Sequence, residues 1–205
     1  GHYLCFFGMH VLTPLIMALI YVVFLRVLAS RTVSIAEIII GVFAWQFTVQ
    51  SVQGGMMCIT GNGNLVRKVA FPRIALPLSS VVANLVNYLL TVVAQFVLVA
   101  LLLASQGQCI KASACLVPLL ILYQTLFHLG LALLVAAANV YFRDTQHLVG
   151  LWLTGWFFLS PAMYNLQFVD AQAAQYPFLS RLYLLNPMAP IITGYRALIL
   201  PGTSF

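Results

Sequence analysis

The sequence is poor in charge: of its 205 residues only 6% are charged, and only three are acidic. A soluble domain carries about 25% charged residues. With 63% hydrophobic residues and a mean hydropathy of +1.04, the apolar excess is larger than one soluble core can hide. A soluble globular protein is excluded. Nine basic residues against three acids give a net charge of +6, yet no basic run is longer than Arg67-Lys68. The continuous cationic face that nucleic-acid binding requires is missing, which removes nucleic acid as a partner.

Cysteine is also scarce. Cys5, Cys58, Cys109 and Cys115 are too few and too dispersed for a disulfide scaffold or a four-ligand zinc site. Cys5 and Cys58 read as inert thiols in apolar settings. Cys109 and Cys115 share one short loop and stand either as a local disulfide, if the loop faces an oxidising compartment, or as two free thiols.

Sequence signatures of catalysis are missing too. Neither lysine follows a glycine, so G-x-x-x-x-G-K-[ST] is absent, and any ATP must be bound by another chain. H-E-x-x-H and G-x-S-x-G are absent as well. A pairing of Ser160 with His128 has no motif behind it, so no catalytic residue and no metal site is assigned. No acid falls in mid-membrane, since Glu37 and Asp144 border apolar runs and Asp170 follows the last one. Only His10 and His128 remain as titratable groups, and His128 reads as a hydrogen-bonded interior residue, which argues against proton-coupled antiport.

What the sequence has is apolar length. About 20 apolar residues cross a bilayer, and five such runs occur: Leu4 to Leu25, Ile38 to Met57, Leu78 to Leu103, Leu116 to Val140 and the shorter Leu148 to Tyr164. The first, at 22 positions, is too long for the core of a signal peptide, about 7–15 residues. It reads as a span, and residue 1 as a cut end. From Asn165 to Phe205 apolar residues mix with Asp170, Arg181, Arg196 and four prolines, a pattern that suits short helices lying in or dipping into the interface. The expected fold is all-α: one domain, residues 1–205, forming a polytopic membrane helix bundle of five spans.

Basic residues set the orientation. Arg67, Lys68 and Arg73 in the loop from Cys58 to Pro77, with Arg143 in the very short loop after Val140, share one side. Arg26, Arg31, Lys111, Arg181 and Arg196 share the other. Per residue the first pair of loops is the more basic and is placed in the cytoplasm, which leaves the long tail outside.

Polar residues inside the spans follow helical spacing. Gln46, Gln50 and Gln53 stand on one face of the second run, Asn84, Tyr88, Thr91 and Gln95 on one face of the third, and Gln124 and His128 one turn apart in the fourth. Interhelical hydrogen bonding, about 0.6 kcal/mol per contact, explains any one of them. Seams on three successive helices exceed what such glue requires, so Gln46, Gln50, Gln53, Asn84, Tyr88, Gln95, Gln124 and His128 are candidates for a polar translocation path. Gly54-Gly55, Gly130, Ala132 and Ala136 supply small residues for close helix approach.

The loop from Asn62 to Pro77 opens on Asn62-Gly63-Asn64, and between those limits Leu65, Val66 and Val69 form one side of a short amphipathic helix with Arg67 and Lys68 toward its edge. Pro72 pushes Phe71 out of helical geometry. This segment is either a positive-inside loop resting on anionic membrane lipid or a docking helix for a cytoplasmic partner. In the second loop, Asn139-Val140-Tyr141-Phe142-Arg143-Asp144, Arg143 and Asp144 suit helix capping.

The string Leu65-Val66-Arg67-Lys68-Val69-Ala70-Phe71-Pro72-Arg73 with Leu76-Pro77-Leu78-Ser79, then Asn139 to Asp144, Ser160-Pro161 and Asn186-Pro187-Met188, resembles the permease subunit of ABC-2 type exporters. Those that move polysaccharides or polyol phosphate polymers, such as O-antigen, capsule and teichoic acid, are the most similar. The resemblance implies a six-span, multi-pass permease of the bacterial inner membrane that forms a homodimer with a second copy of itself and binds a cytoplasmic ABC ATPase subunit, which holds the ATP and Mg. It implies that Leu65, Arg67, Lys68, Phe71, Pro72 and Arg73, with Arg143 and Asp144, couple to that ATPase. It further implies that the tail forms external re-entrant helices at the mouth of a dimer-interface channel for a lipid-linked glycan. Against this pattern both ends look truncated, and a sixth apolar run after Phe205 is expected. Two other readings remain open: an ABC-2 exporter of a small lipophilic compound, and a membrane scaffold with no path.

Overall fold

The computed structural model describes residues 2–24, 34–62, 72, 74–142, 144–162, 164 and 185–202, with side chains from residue 12 onward. Six α-helices and one 3-10 turn make up these residues, with no strand among them. They are α1 (His2–Val23), α2 (Ile35–Met57), α3 (Ala75–Ala104), the turn Ala112–Leu116, α4 (Val117–Tyr141), α5 (Thr145–Leu159) and α6 (Met188–Ile199). Each of the five apolar runs forms one of α1 to α5, as expected of a membrane helix bundle.

Proline places several of the boundaries. Pro118 sits in the first turn of α4, where its missing N–H costs nothing. Ser160 before Pro161 and Leu200 before Pro201 are both extended, as the proline ring demands of its predecessor, and they end α5 and α6. At 15 residues, or about 22 Å, α5 falls short of a span.

Helical phase decides the packing. α3 buries a single stripe, Pro77, Val81, Tyr88, Thr91, Gln95, Val99 and Leu103, and turns Val86, Val93, Val97 and Leu101 outward. α4 does the same, with Ile121, Gln124, His128, Ala132, Ala136 and Asn139 inside and Leu119, Leu126 and Leu134 outside. Polar stripes thus face protein and aliphatic ones face lipid. α2 has no lipid stripe along most of its length, because α3 and α4 pack against it along with α1, α5 and α6. It runs parallel to α4, with Ala44 beside Gln124, Thr48 beside His128 and Met56 beside Asn139.

The tail supplies α6, which does not lie flat at the interface. Nine of its 12 residues are buried, and it rises antiparallel to α2, from Met188 beside Thr48 to Arg196 beside Glu37. Its final carbonyls are capped by the α3–α4 loop: Lys111 Nζ donates to Ala197 O at 3.2 Å, Ser113 Oγ to Leu198 O at 2.9 Å and the Lys111 amide to Ile199 O at 3.3 Å. A cation at a helix C-terminus also complements the helix dipole.

Cys109 and Cys115 are exposed, unbridged thiols of that same loop, whereas Cys58 is buried at the opposite end of the bundle. Its Sγ donates to Gly55 O at 2.8 Å, and burial pushes its thiol pKa up. A membrane-impermeant maleimide added outside intact cells is expected to label Cys109 and Cys115 and to spare Cys58 even after permeabilisation. Labelling of Cys109 only after permeabilisation would invert the orientation read from the basic loops.

Candidate functional site

The structure separates the eight candidate path residues: four are buried inside the protomer, two line a groove on another side of α2, and Gln50 and Asn84 meet at the α2–α3 contact. Tyr88, Gln95, Gln124 and His128 are buried inside the protomer. Gln124 Nε2 donates to Ala44 O at 3.0 Å, and Gln124 Oε1 accepts from the Tyr195 hydroxyl at 2.8 Å. Gln124 thus joins α4 to α2 and, through Tyr195, to α6. His128 Nε2 lies 3.0 Å from Thr48 Oγ1, which donates to Ala44 O at 3.3 Å. Phe47 stacks on Tyr88 at 4.3 Å and sets its edge against His128 at 4.7 Å. His128 is bonded to Thr48 and not to Ser160, whose hydroxyl donates to Trp156 O. Gln95 Oε1 and His128 Nδ1 have no partner among the described residues.

The second group faces a groove. Gln46 is half-buried and Gln53 exposed, and both line a cavity of about 250 Å³ between α1, α2 and α5. Thr154 and Gly150 of α5 form the facing wall, and Met17 and Tyr21 of α1 close one side. Aromatic rings floor it: Trp45 meets Phe157 at 5.5 Å and Tyr21 stacks on Phe157 at 5.4 Å, with Trp156 set edge-on to Trp45 at 5.6 Å behind them. Amide and hydroxyl groups beside aromatic faces can hydrogen-bond a polyhydroxylated chain and shield its apolar ring faces. Gln50 is half-buried one turn on, toward α3, and its carbonyl accepts from Asn84 Nδ2 at 3.1 Å. Asn84 therefore belongs to the α2–α3 contact and does not reach the groove.

At the other end of the molecule, Leu65, Arg67, Lys68, Phe71, Arg73 and Arg143 lie outside the described residues. Pro72 and Asp144 are exposed. Asp144 occupies the N-cap position of α5, but its side chain makes no cap bond; its carbonyl instead accepts from the His147 and Leu148 amides. The capping expected of that carboxylate is not made. Tyr141 and Phe142, which precede Asp144 in the chain, and Ile74 before α3 are 82%, 70% and 67% exposed.

Sequence reasoning missed Asn186, Tyr195 and Arg196 as structural centres. Asn186 Oδ1 accepts from Trp156 Nε1 at 2.8 Å and from the Met188 amide at 3.0 Å. Its Nδ2 donates to Leu159 O and Ser160 Oγ, both at 3.0 Å. The signal was the polar residue itself, set directly before a proline in an apolar segment.

Known proteins are similar to this chain in sequence. The profile of the ABC-2 type transporter family matches residues 5–200. The O-antigen export system permease protein RfbA of Myxococcus xanthus is 34% identical over 189 residues, covering 91% of this chain and 70% of that protein. Two proteins of the same name from Klebsiella pneumoniae are 25% and 24% identical, covering 94% and 92% of this chain and 72% and 70% of their own lengths.

Proposed function

The chain belongs to the ABC-2 type transporter family, and from that premise we propose that it is the multi-pass inner-membrane permease of a polysaccharide exporter powered by a separate ABC ATPase. The observation that carries the reading is the groove between α1, α2 and α5, where Gln46, Gln53 and Thr154 stand beside aromatic rings. An open groove on one protomer becomes a closed conduit when a second copy faces it, so the working unit is a homodimer. The substrate is a lipid-linked glycan whose hydroxyls are met by the amides.

In this mechanism ATP and Mg are bound by the partner, and this chain converts closure of the ATPase into movement of its helices. The docking surface is the loop carrying Leu65, Arg67, Lys68, Phe71, Pro72 and Arg73, together with Arg143 and Asp144. The exposed Ile74, Tyr141 and Phe142 support this surface, since exposed apolar groups at the ends of these two loops suit a protein partner. The buried chain Tyr195–Gln124–Ala44 keeps the three helices it joins moving as one wall.

The test uses full-length permease with its ATPase. Gln46→Leu with Gln53→Leu removes two hydrogen-bonding groups, and losing about 0.7 kcal/mol at each lowers export about tenfold. Complex yield and ATP hydrolysis should stay at the wild-type level. Undiminished export would remove the groove from the path and favour a scaffold, or an exporter of a small lipophilic compound.

A further inference from the structure

We propose that Arg196 is a positioning residue for export: it fastens the turn after α5 to α2 and α6, and so sets the width of the groove at its Glu37 end. The proposal rests on the reading of that groove as the path.

Arg196 is only 4% exposed. A buried cation in a membrane bundle is costly, and packing alone would be served as well by methionine or leucine. Its guanidinium donates to three carbonyls on two separate stretches of chain. Nε donates to Glu37 O at 3.1 Å, Nη1 to Tyr164 O at 2.6 Å and Nη2 to Ala162 O at 3.1 Å. Glu37 is in the first turn of α2, whereas Ala162 and Tyr164 are in non-helical backbone just past α5. Carbonyls of irregular backbone within a bundle need a donor from the protein, and Arg196 supplies it.

The clasp joins a firmly held side, α6, to a second side, the end of α5, which Asn186 ties to the start of α6. α6 is held at its C-terminal end by Lys111 and Ser113 and in its interior by Tyr195 on Gln124. The short α5 meets α2 chiefly through Trp156 and Phe157 against Trp45. What Arg196 holds is therefore the end of α5, whose Phe157 and Phe158 line the groove. Gly41 makes the close approach possible: a Cβ there would lie 2.5 Å from Ala162 O and 2.8 Å from Arg196 Nη2. Lysine cannot replace arginine, because one ammonium does not span three divergent carbonyls.

The experiment places spin labels at Val42 and Thr154, on the α2 and α5 walls, in full-length permease with the native cysteines replaced. The permease is assembled with its ATPase in liposomes. Arg196→Gln is expected to keep ATP hydrolysis, broaden the inter-label distance distribution and lower export about tenfold, with Arg196→Lys little better. Gly41→Ala, which wedges Ala162 away while leaving the charge, should broaden the distribution in the same way and covers the case in which Arg196→Gln does not assemble. Unchanged distances in the assembled variants overturn the proposal, as does a loss of assembly in every variant with normal distances in the surviving fraction. Broadened distances with full export keep the hold of Arg196 on α5 and overturn the assignment of the groove as the path.

Discussion

Gly55→Val is expected to remove most of the folded permease from the membrane. A Cβ at Gly55 would fall onto the Ala132 Cβ and lie 3.0 Å from the Ala132 Cα. Neither can yield without separating α2 from α4. Ser51 and Gly55 on α2 and Ala132 and Ala136 on α4 are all buried, the spacing of small residues that lets membrane helices touch. Three added carbons in such a contact cost about 3 kcal/mol, roughly a hundredfold in folded population. The monodisperse yield and thermal midpoint of detergent-solubilised protein measure this. Gly55→Ala combined with Ala132→Gly should recover most of what Gly55→Ala alone loses, since the pair shares one contact. A wild-type midpoint for Gly55→Val would mean that α2 and α4 do not meet here.

The other large effect falls on Asn186. Asn186→Leu keeps the volume and removes every hydrogen bond of the side chain. The Trp156 indole N–H and the Met188 amide, both donors to Asn186 Oδ1, lose their acceptor where water does not reach. A single interhelical side-chain hydrogen bond in a membrane protein is worth only about 0.6 kcal/mol, but an orphaned buried donor costs about 1–3 kcal/mol. Two orphans set the expected loss at about 3 kcal/mol. The readouts are a fall in thermal midpoint and freer Trp156, seen as faster fluorescence quenching by a lipid-borne quencher. A midpoint unchanged from wild type would show that α5 and the start of α6 are joined by something other than Asn186.

The two groups of polar residues illustrate what helical spacing can and cannot establish. Spacing puts Gln46, Gln50 and Gln53 on one face of α2, and Tyr88 and Gln95 on one face of α3. It gives angles within a helix and no rotation relative to the neighbours. Gln124 and Gln46 therefore looked equivalent, although one is bonded to Ala44 and Tyr195 in the interior and the other lines an open groove. The glycines divide in the same way: Gly130 has nothing within 4 Å of a would-be Cβ, while Gly54 lies under Ser80 and Asn84 and Gly55 against Ala132. A glycine looks the same in sequence whether its face meets a helix or lipid.

Length and composition determined the membrane and the five apolar helices, because each depends on local chemistry, the transfer of apolar side chains; the fifth run, read to Tyr164, ends as a helix at Leu159, where Ser160 is extended ahead of Pro161. The ABC-2 resemblance was legible for a related reason, its residues lying in short contiguous strings. Tertiary structure alone decided the burial of α6. Arg196 marks that segment as interfacial in sequence, since a cation favours water unless partners are supplied. Its partners are the carbonyls of Glu37, Ala162 and Tyr164, two of them more than 30 residues away and one 159 residues away. Whether a charge is paid for by partners so distant along the chain is settled only when the helices have packed.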